Sequence, residues 1–224
     1  NTGVCDAFDL GWKLSAVLNG WGGEKLLDAI EEERRPIALR NREGSKRHAE
    51  ARMAIGKVWP ENIDEEGPDG VARRAELAQK IIEIGNAENE SLGIELGYSY
   101  AGSSLVCNEP SDECQDDPLV YLPTTTPGYR PPAVYLANGQ PLFGLFGPEY
   151  TLLNLESDAI DSRKIEKSAS SIGLPLTVVS IDDDHVRSLY RYNLVLIRPD
   201  QHVAWRGQQA PDNIEEILNK VAGR

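Results

Sequence analysis

The sequence predicts a mixed α/β protein, helical in its first half and built of alternating strands and helices in its second. Three observations carry that expectation. From position 4 to about 84, apolar residues recur at three- and four-residue steps, the period of amphipathic helices. Beyond 133, short β-prone runs alternate with a helical run, as in a parallel β-α-β unit. Between the two stretches, residues 123–132 hold four prolines, a stiff extended connector. The domain boundary is placed there, giving segments 1–122 and 123–224.

The elements follow in order. Residues 4–19 read as a helix with Val4, Ala7, Phe8, Trp12, Leu14, Ser15 and Leu18 on its apolar face. Asn1 and Thr2 precede it as N-cap types, and Asp6 is expected in the first turn, where the helix dipole favours a carboxylate. Gly20, Gly22 and Gly23 end it. A short helix over 23–34 presents Leu26, Leu27 and Ile30, and Pro36 is expected to break or restart it. A charged helix over 37–58 packs one side through Ala49, Met53 and Ile55. After an acidic loop at 60–70, residues 71–86 form another amphipathic helix carrying Leu77, Ile81, Ile82 and Ile84. Residues 97–106 alternate like a strand, and 108–118 read as a solvated acidic insertion.

In the second half, 133–136 and 151–155 read as strands. Residues 157–172 read as a helix with Ile160, Ile165, Ala169 and Ile172 inward. The apolar run 176–181 fits a strand buried on both faces. Strands 194–197 and 203–205 flank a hairpin turn at Pro199, Asp200, Gln201 and His202. A last helix over 212–222, capped by Asp212, aligns Ile214, Ile217, Leu218 and Val221. A β-α-β unit, a hairpin and a helix is the thioredoxin-like order.

Composition narrows the function. Of 224 residues, 40% are hydrophobic and 26% charged, the range of folded globular chains. The 36 acidic against 23 basic residues give a net charge of −13, which disfavours nonspecific nucleic-acid binding. No apolar run approaches the roughly 18 residues of a membrane-spanning helix, so no membrane partner is expected. Nor is a secretory leader expected, and a chain that starts at Asn1 inside a structured-looking segment reads as a fragment. Three cysteines without a CxxC exclude a disulfide scaffold and a CxxC redox enzyme. Cys107 and Cys114 admit a local disulfide, but free thiols in a reducing, cytoplasmic compartment are the default. Three scattered histidines argue against a structural zinc site, and no metal site is assigned.

A specific resemblance begins at the first residue. Residues 1–14, NTGVCDAFDLGWKL, resemble the last flavin-binding motif of the FAD-dependent aromatic hydroxylases of the phenol hydroxylase and para-hydroxybenzoate hydroxylase type. The likeness continues through Leu27, Asp28 and Ala29, and through EEERRPIA at 31–38. Further on, PGYRPP at 127–132, LFGLFG at 142–147 followed by YTLL at 150–153, and LIRPDQHVAWR at 196–206 resemble the family's C-terminal domain. The resemblance implies the helical C-terminal remainder of an FAD-binding monooxygenase domain (1–122, incomplete) followed by a thioredoxin-like α/β domain (123–224). It implies FAD as cofactor, NAD(P)H as reductant, a phenolic small-molecule substrate hydroxylated with O2, and a homodimer through the C-terminal domain. The family's Gly-x-Gly-x-x-Gly and Gly-Asp motifs have no counterpart within the 224 residues, so the chain alone is expected to be inactive.

The physical role of the first motif is readable. A helix N-terminus carries unpaired N–H groups and roughly half a positive charge, which suits the flavin N1–C2=O edge and favours anionic reduced flavin. Asn1, Thr2 and Gly3 are the candidate cofactor contacts, with Gly3 allowing close backbone approach. The plainer alternative is an ordinary capped helix start. No catalytic residue is assigned, and Asp6 is expected to cap or hydrogen-bond locally. His48, His185 and His202 are expected at the surface, and Asp182, Asp183 and Asp184 as a helix cap with exposed charge. Glu31, Glu32 and Glu33 beside Arg34 and Arg35 are expected as a solvated or packing salt-bridge set worth little individually. Tyr98, Tyr100 and Trp59 are candidates for an aromatic pocket or for core packing. The rival functions are a non-catalytic thioredoxin-like dimerisation or interaction module, and a binding protein that kept the fold without the cofactor.

Overall fold

The computed structural model describes residues 1–85, 90–109, 117–156 and 160–224. Cys114, most of the acidic segment 108–118, the start of the helix expected at 157 and the side chain of Ile160 lie outside the described residues. The elements are α1 (Thr2–Leu18), α2 (Lys25–Val58), α3 (Pro68–Ile84), α4 (Leu92–Leu96), β1 (Tyr150–Asn154), α5 (Ile160–Ser171), β2 (Leu176–Ser180), α6 (Asp184–Tyr190), β3 (Leu194–Ile197), β4 (Val203–Gly207) and α7 (Ile214–Val221). They fall into two compact units. One comprises Asn1–Ile37, Tyr98–Gln115 and Leu122–Arg224; the other comprises Ala38–Gly97 and Asp116–Tyr121.

The first unit is built on a four-stranded sheet of order β2-β1-β3-β4. β1 and β2 run parallel, joined through α5; β1–β3 and β3–β4 are antiparallel. Side chains alternate across the sheet, as the two-residue strand period requires. Leu152, Leu194 and Leu196 face a core shared with α5, α7, Trp12, Ala16, Trp21, Leu26 and Ala29. Leu153, Val195 and Ile197 face a second core with Val134, Leu142, Val186 and Tyr190. Tyr150 stands edge-on to the rings of Trp12 and Trp21, at 6.4 and 6.2 Å between centroids. Its hydroxyl donates to the Val221 carbonyl at 2.7 Å.

The turn between α1 and α2 meets the end of the chain. Gly23 N–H donates to the Ala222 carbonyl at 2.7 Å, and a side chain at Gly23 would collide with the Gly223 carbonyl. Of the glycines that end α1, Gly23 is therefore the one needed for this close backbone approach.

In the second unit, Gly44 and Ala51 are buried on α2 and Leu77 on α3. Arg40 donates to the carbonyls of Gly93 (2.8 Å) and Ile94 (3.1 Å). The seven-residue spacing of Gly44 and Ala51, both buried, defines the inward side of this part of α2. Met53 and Ala49, expected there, are exposed, as are Ile81 and Ile82 of α3.

Several expectations are corrected. Pro36 does not break the chain: α2 runs through it as a 34-residue helix. Proline removes one backbone donor, and the good helix formers on either side (Glu32, Arg34, Arg35, Ala38, Leu39) hold the helix across that gap. Residues 97–106 form a turn with one isolated bridge, Ser99 to Tyr129, and no strand. Their backbone amides go to side chains instead: Ala101 N–H to Ser99 Oγ (2.8 Å) and Gly102 N–H to Asn108 Oδ1 (2.7 Å). Residues 133–136 make only the Tyr135–Pro141 bridge, between prolines that cannot donate to a ladder. β2 is an edge strand, half-exposed along its length, so its apolar run is not buried on both faces. The fully buried strands are β1 and β3. α7 is preceded by Asn213 with no side-chain cap, while Asp212 instead lies 3.4 Å from Lys164 Nζ. α6, by contrast, is capped as expected: Asp183 accepts from the amides of His185 and Val186.

Candidate functional site

α1 starts at Thr2, with Asn1 as its N-cap residue. The Asn1 carbonyl accepts from Val4 and Cys5, but its side chain makes no cap bond. No acidic residue lies in the first turn. Gly3 is exposed, and a Cβ placed on it would meet nothing within 4 Å. Asp6 therefore sits past the first turn and does not serve the dipole. Its Oδ1 accepts from Arg34 Nε at 2.8 Å, the local hydrogen-bonding role expected of it.

The helix is turned away from the face the periodicity argument gives: of that face, Trp12 alone is buried. The side turned into the protein carries Asp9, Trp12, Lys13 and Ala16. The rest of the expected apolar face points outward, with Val4 69%, Phe8 57%, Leu14 41% and Leu18 77% exposed.

Under the inward side lies a cluster of buried charges. Lys13 Nζ donates to Asp9 Oδ2 (2.9 Å) and to Glu33 Oε2 (2.7 Å). Arg198, from the turn after β3, grips Glu33 with both teeth of its guanidinium, at 2.6 and 2.8 Å. The same guanidinium reaches Asp200 Oδ2 at 2.7 Å. Ser103 Oγ donates to Glu33 Oε1 at 2.6 Å. Glu33 thus receives Lys13 from α1, Arg198 from the hairpin and Ser103 from the 97–106 turn. Aromatic rings enclose the group: Arg198 lies 5.3 Å from the Trp12 ring centroid and 5.1 Å from that of Tyr100. Tyr100 packs on His202 at 4.4 Å, and Arg34 Nη1 donates to the Tyr100 hydroxyl at 2.7 Å.

The electrostatics are set by competition between burial and partners. Burial pushes the Glu33 carboxyl up, but Arg198 and then Lys13 overcome it and hold it at about 2. Asp200 is held far below the usual carboxylate range by Arg198 and His202 against its own burial. Asp9 moves the other way: burial raises it, Lys13 only partly offsets that, and Asp200 and Glu33 raise it further. Its Oδ1 has no hydrogen-bond partner among the described residues and lies 3.9 Å from Arg198 Nη2. Three carboxylates therefore face two cations. Their oxygens converge within 4.8 Å, but Lys13 and Arg198 already occupy the place of a metal ion. The arrangement is suited to holding α1, α2 and the hairpin in one register.

Other expected positions separate. His185 is exposed as expected, but His202 is buried beneath Tyr98 and Tyr100, and His48 is half-buried. Of the 31–35 set, Glu31 and Arg35 form an exposed pair, whereas Glu33 and Arg34 are buried. Tyr98 and Tyr100 meet edge-on at 5.8 Å between centroids; Trp59 belongs to the second unit and is exposed. Cys5 and Cys107 are free thiols. Asp9, Lys13, Arg198 and Asp200 were not anticipated. The available signals were a charged i,i+4 pair inside an apolar helix, and an Arg following four apolar strand residues.

Comparison with known proteins agrees with these segments. The FAD binding domain family matches residues 1–45, and the aromatic-ring hydroxylase C-terminal family matches residues 124–224. The FAD-dependent monooxygenase opdD of Penicillium oxalicum is 33% identical over the whole chain, which covers 44% of that protein. Phenol 2-monooxygenase of a Pseudomonas species is 26% identical over 99% of the chain, which covers 41% of it. Among solved structures, RebC-10x, native and K252c-bound, superposes with a TM-score of 0.90 at 34% identity, over all of this chain and 42% of that one. The flavin-dependent monooxygenase PieE, in complex with FAD and substrate, gives 0.78 at 28% identity, over 99% of this chain and 43% of that one. The chain thus spans less than half the length of the relatives it matches. In its matched segments and its fold, the chain is similar to the C-terminal part of FAD-dependent monooxygenases.

Proposed function

We propose that this chain is the C-terminal part of an FAD-dependent monooxygenase that hydroxylates a phenolic ring with O2 and NAD(P)H. In this reading 1–122 is the closing segment of the FAD-binding and substrate domain, and 123–224 is a thioredoxin-like domain without redox cysteines. The order β2-β1-β3-β4 with one parallel pair supports the second assignment. The observation that carries the proposal is the start of α1. It lies in the segment matched by the FAD binding domain, has no acidic residue in its first turn and has open space at Gly3. That donor set fits an electron-rich cofactor edge.

Asn1, Thr2 and Gly3 would hold the flavin edge with backbone N–H groups, and the helix dipole would favour negative charge there. FAD, when bound, supplies hydride uptake and O2 activation. The residues of this chain bind and orient; none is assigned a proton transfer. The outward apolar face of α1 supports further FAD-binding-domain structure packed against it in the whole protein. The free thiols of Cys5 and Cys107 fit a reducing, cytoplasmic compartment. Dimerisation through 123–224 completes the proposal; light scattering at tens of micromolar should show a dimer, and a strict monomer would count against it.

The main test is a pair of spectra. The 224-residue chain mixed with FAD should retain no stoichiometric flavin, because α1 offers only edge contacts. The product of the whole gene should carry FAD and oxidise NAD(P)H when given a phenol. Tight one-to-one binding by the short chain sinks the partial-site reading, and a flavin-free whole protein sinks the function.

A further inference from the structure

We propose that Arg198 and Asp200, in the β3–β4 turn, are positioning residues that set the flavin-facing end of α1 from the far side of the unit. The proposal rests on the flavin-edge reading of α1. Arg198 does not touch the start of α1. It acts through Glu33, which both teeth of its guanidinium hold and which in turn receives Lys13. Lys13 meets Glu33 at 2.7 Å, and Asp9, one turn earlier on α1, has Oδ1 3.9 Å from Arg198 Nη2, so the helix is held at two points, in rotation as well as translation.

A second route runs through the same turn: His202 packs on Tyr100, whose hydroxyl accepts from Arg34, and Arg34 donates to Asp6. Asp6 is one turn from Thr2. The two routes meet α1 at positions 6, 9 and 13, and both begin in the hairpin turn. The cluster is buried, so its geometry is not averaged by water, and the planar guanidinium fork specifies direction in a way a lysine cannot. The turn itself is fixed: Arg198 N–H donates to the His202 carbonyl, and Gln201 adopts φ 65°.

The consequence is electrochemical. If the turn aims the amides of α1 at the flavin, loosening it weakens the helix's preference for reduced, anionic FAD. The test uses the FAD-loaded whole protein. Arg198→Lys keeps the charge and removes the fork. Asp200→Asn is the second, milder variant should the first fold poorly. Either should lower the ratio of reduced to oxidised FAD affinity about threefold, read as a fall of roughly 14 mV in the two-electron potential. Leu196→Val, on β3 just before the turn but outside the charge cluster, should destabilise the protein and leave the potential in place. An equal shift in Leu196→Val, or no shift in both turn variants, overturns the positioning role. Gly3→Asp separates the two layers of the argument. If it lowers the potential while the turn variants do not, the positioning proposal alone fails. If Gly3→Asp also has no effect, the flavin-edge reading fails with it.

Discussion

The two sides of α1 reverse the usual division of an amphipathic helix. Its inward side holds Asp9 and Lys13 against Glu33 and Arg198, away from water, while its outward side presents Val4, Phe8, Leu14 and Leu18. A helix that pairs only within this unit would bury the apolar side. Burying charge is costly unless every partner is present, so the inward cluster contributes specificity of position more than net stability. The outward side has no comparable demand from the described residues of its own unit. The inner side is therefore the one that the fold cannot tolerate changing, and the outer side is the one left for something else.

This contrast can be broken most severely at Glu33. Glu33→Gln removes the buried carboxylate that Lys13 and Arg198 share, leaving Lys13 with Asp9 and Arg198 with Asp200, and should cost about 3–5 kcal/mol in a urea titration. Phe8→Ser, on the other side of the neighbouring helix, should change stability by no more than about 0.5 kcal/mol and should reduce self-association of the 224-residue chain. A loss from Phe8→Ser as large as that from Glu33→Gln would erase the distinction.

Acid probes the inner side without mutation. The carboxyl of Glu33 is held at about 2, below its ordinary 4.5, so the folded state favours its ionised form. That contribution is fully present above about 4.5 and is lost as pH falls through 2. It amounts to something on the order of 3 kcal/mol. Asp9 works in the opposite sense, because burial raises its carboxyl and the folded state binds a proton there more readily than the unfolded chain as pH falls. Thermal midpoints measured from pH 6 to pH 2 should therefore fall most steeply below 4.5, and Glu33→Gln should flatten that limb.

Smaller effects test the setting of the helix. Gly23→Ala drives a methyl into the Gly223 carbonyl and should cost about 1–3 kcal/mol by shifting the α1–α2 turn from the chain end. At the surface, Arg35→Ala removes the exposed Glu31 pair, with side chains 72% and 78% accessible, and should alter stability by less than about 0.5 kcal/mol. The five-residue stretch 31–35 thus contains both a nearly neutral pair and the centre of the buried cluster.

That stretch also explains how far the sequence could be read. Period and turn chemistry located β1, β3, β4, α5 and α7, because each is a local pattern of apolar residues. The family likeness rested on local strings as well, and the matches at 1–45 and 124–224 agree with it. What escaped was everything decided by distant partners. Glu33 and Arg198 are 165 positions apart, so nothing in EEERR or in LIRPD says that they meet. Trp12 and Leu14 are both apolar, and distant partners, the ring of Tyr150 and the guanidinium of Arg198, meet the one that turns inward. The strand expected at 97–106 failed for a related reason: its serines and Asn108 offer the backbone closer partners than another strand.

The most direct test of the account is a double-mutant cycle between Lys13 on α1 and Arg198 in the hairpin turn, both changed to Met, with stability read from urea titrations. The two cations do not bond each other; they share Glu33. If the cluster acts as one clamp, the cycle should show a coupling of about 1–3 kcal/mol. Losses that add within about 0.5 kcal/mol would mean that α1 and the hairpin are held independently, and the clamp does not exist.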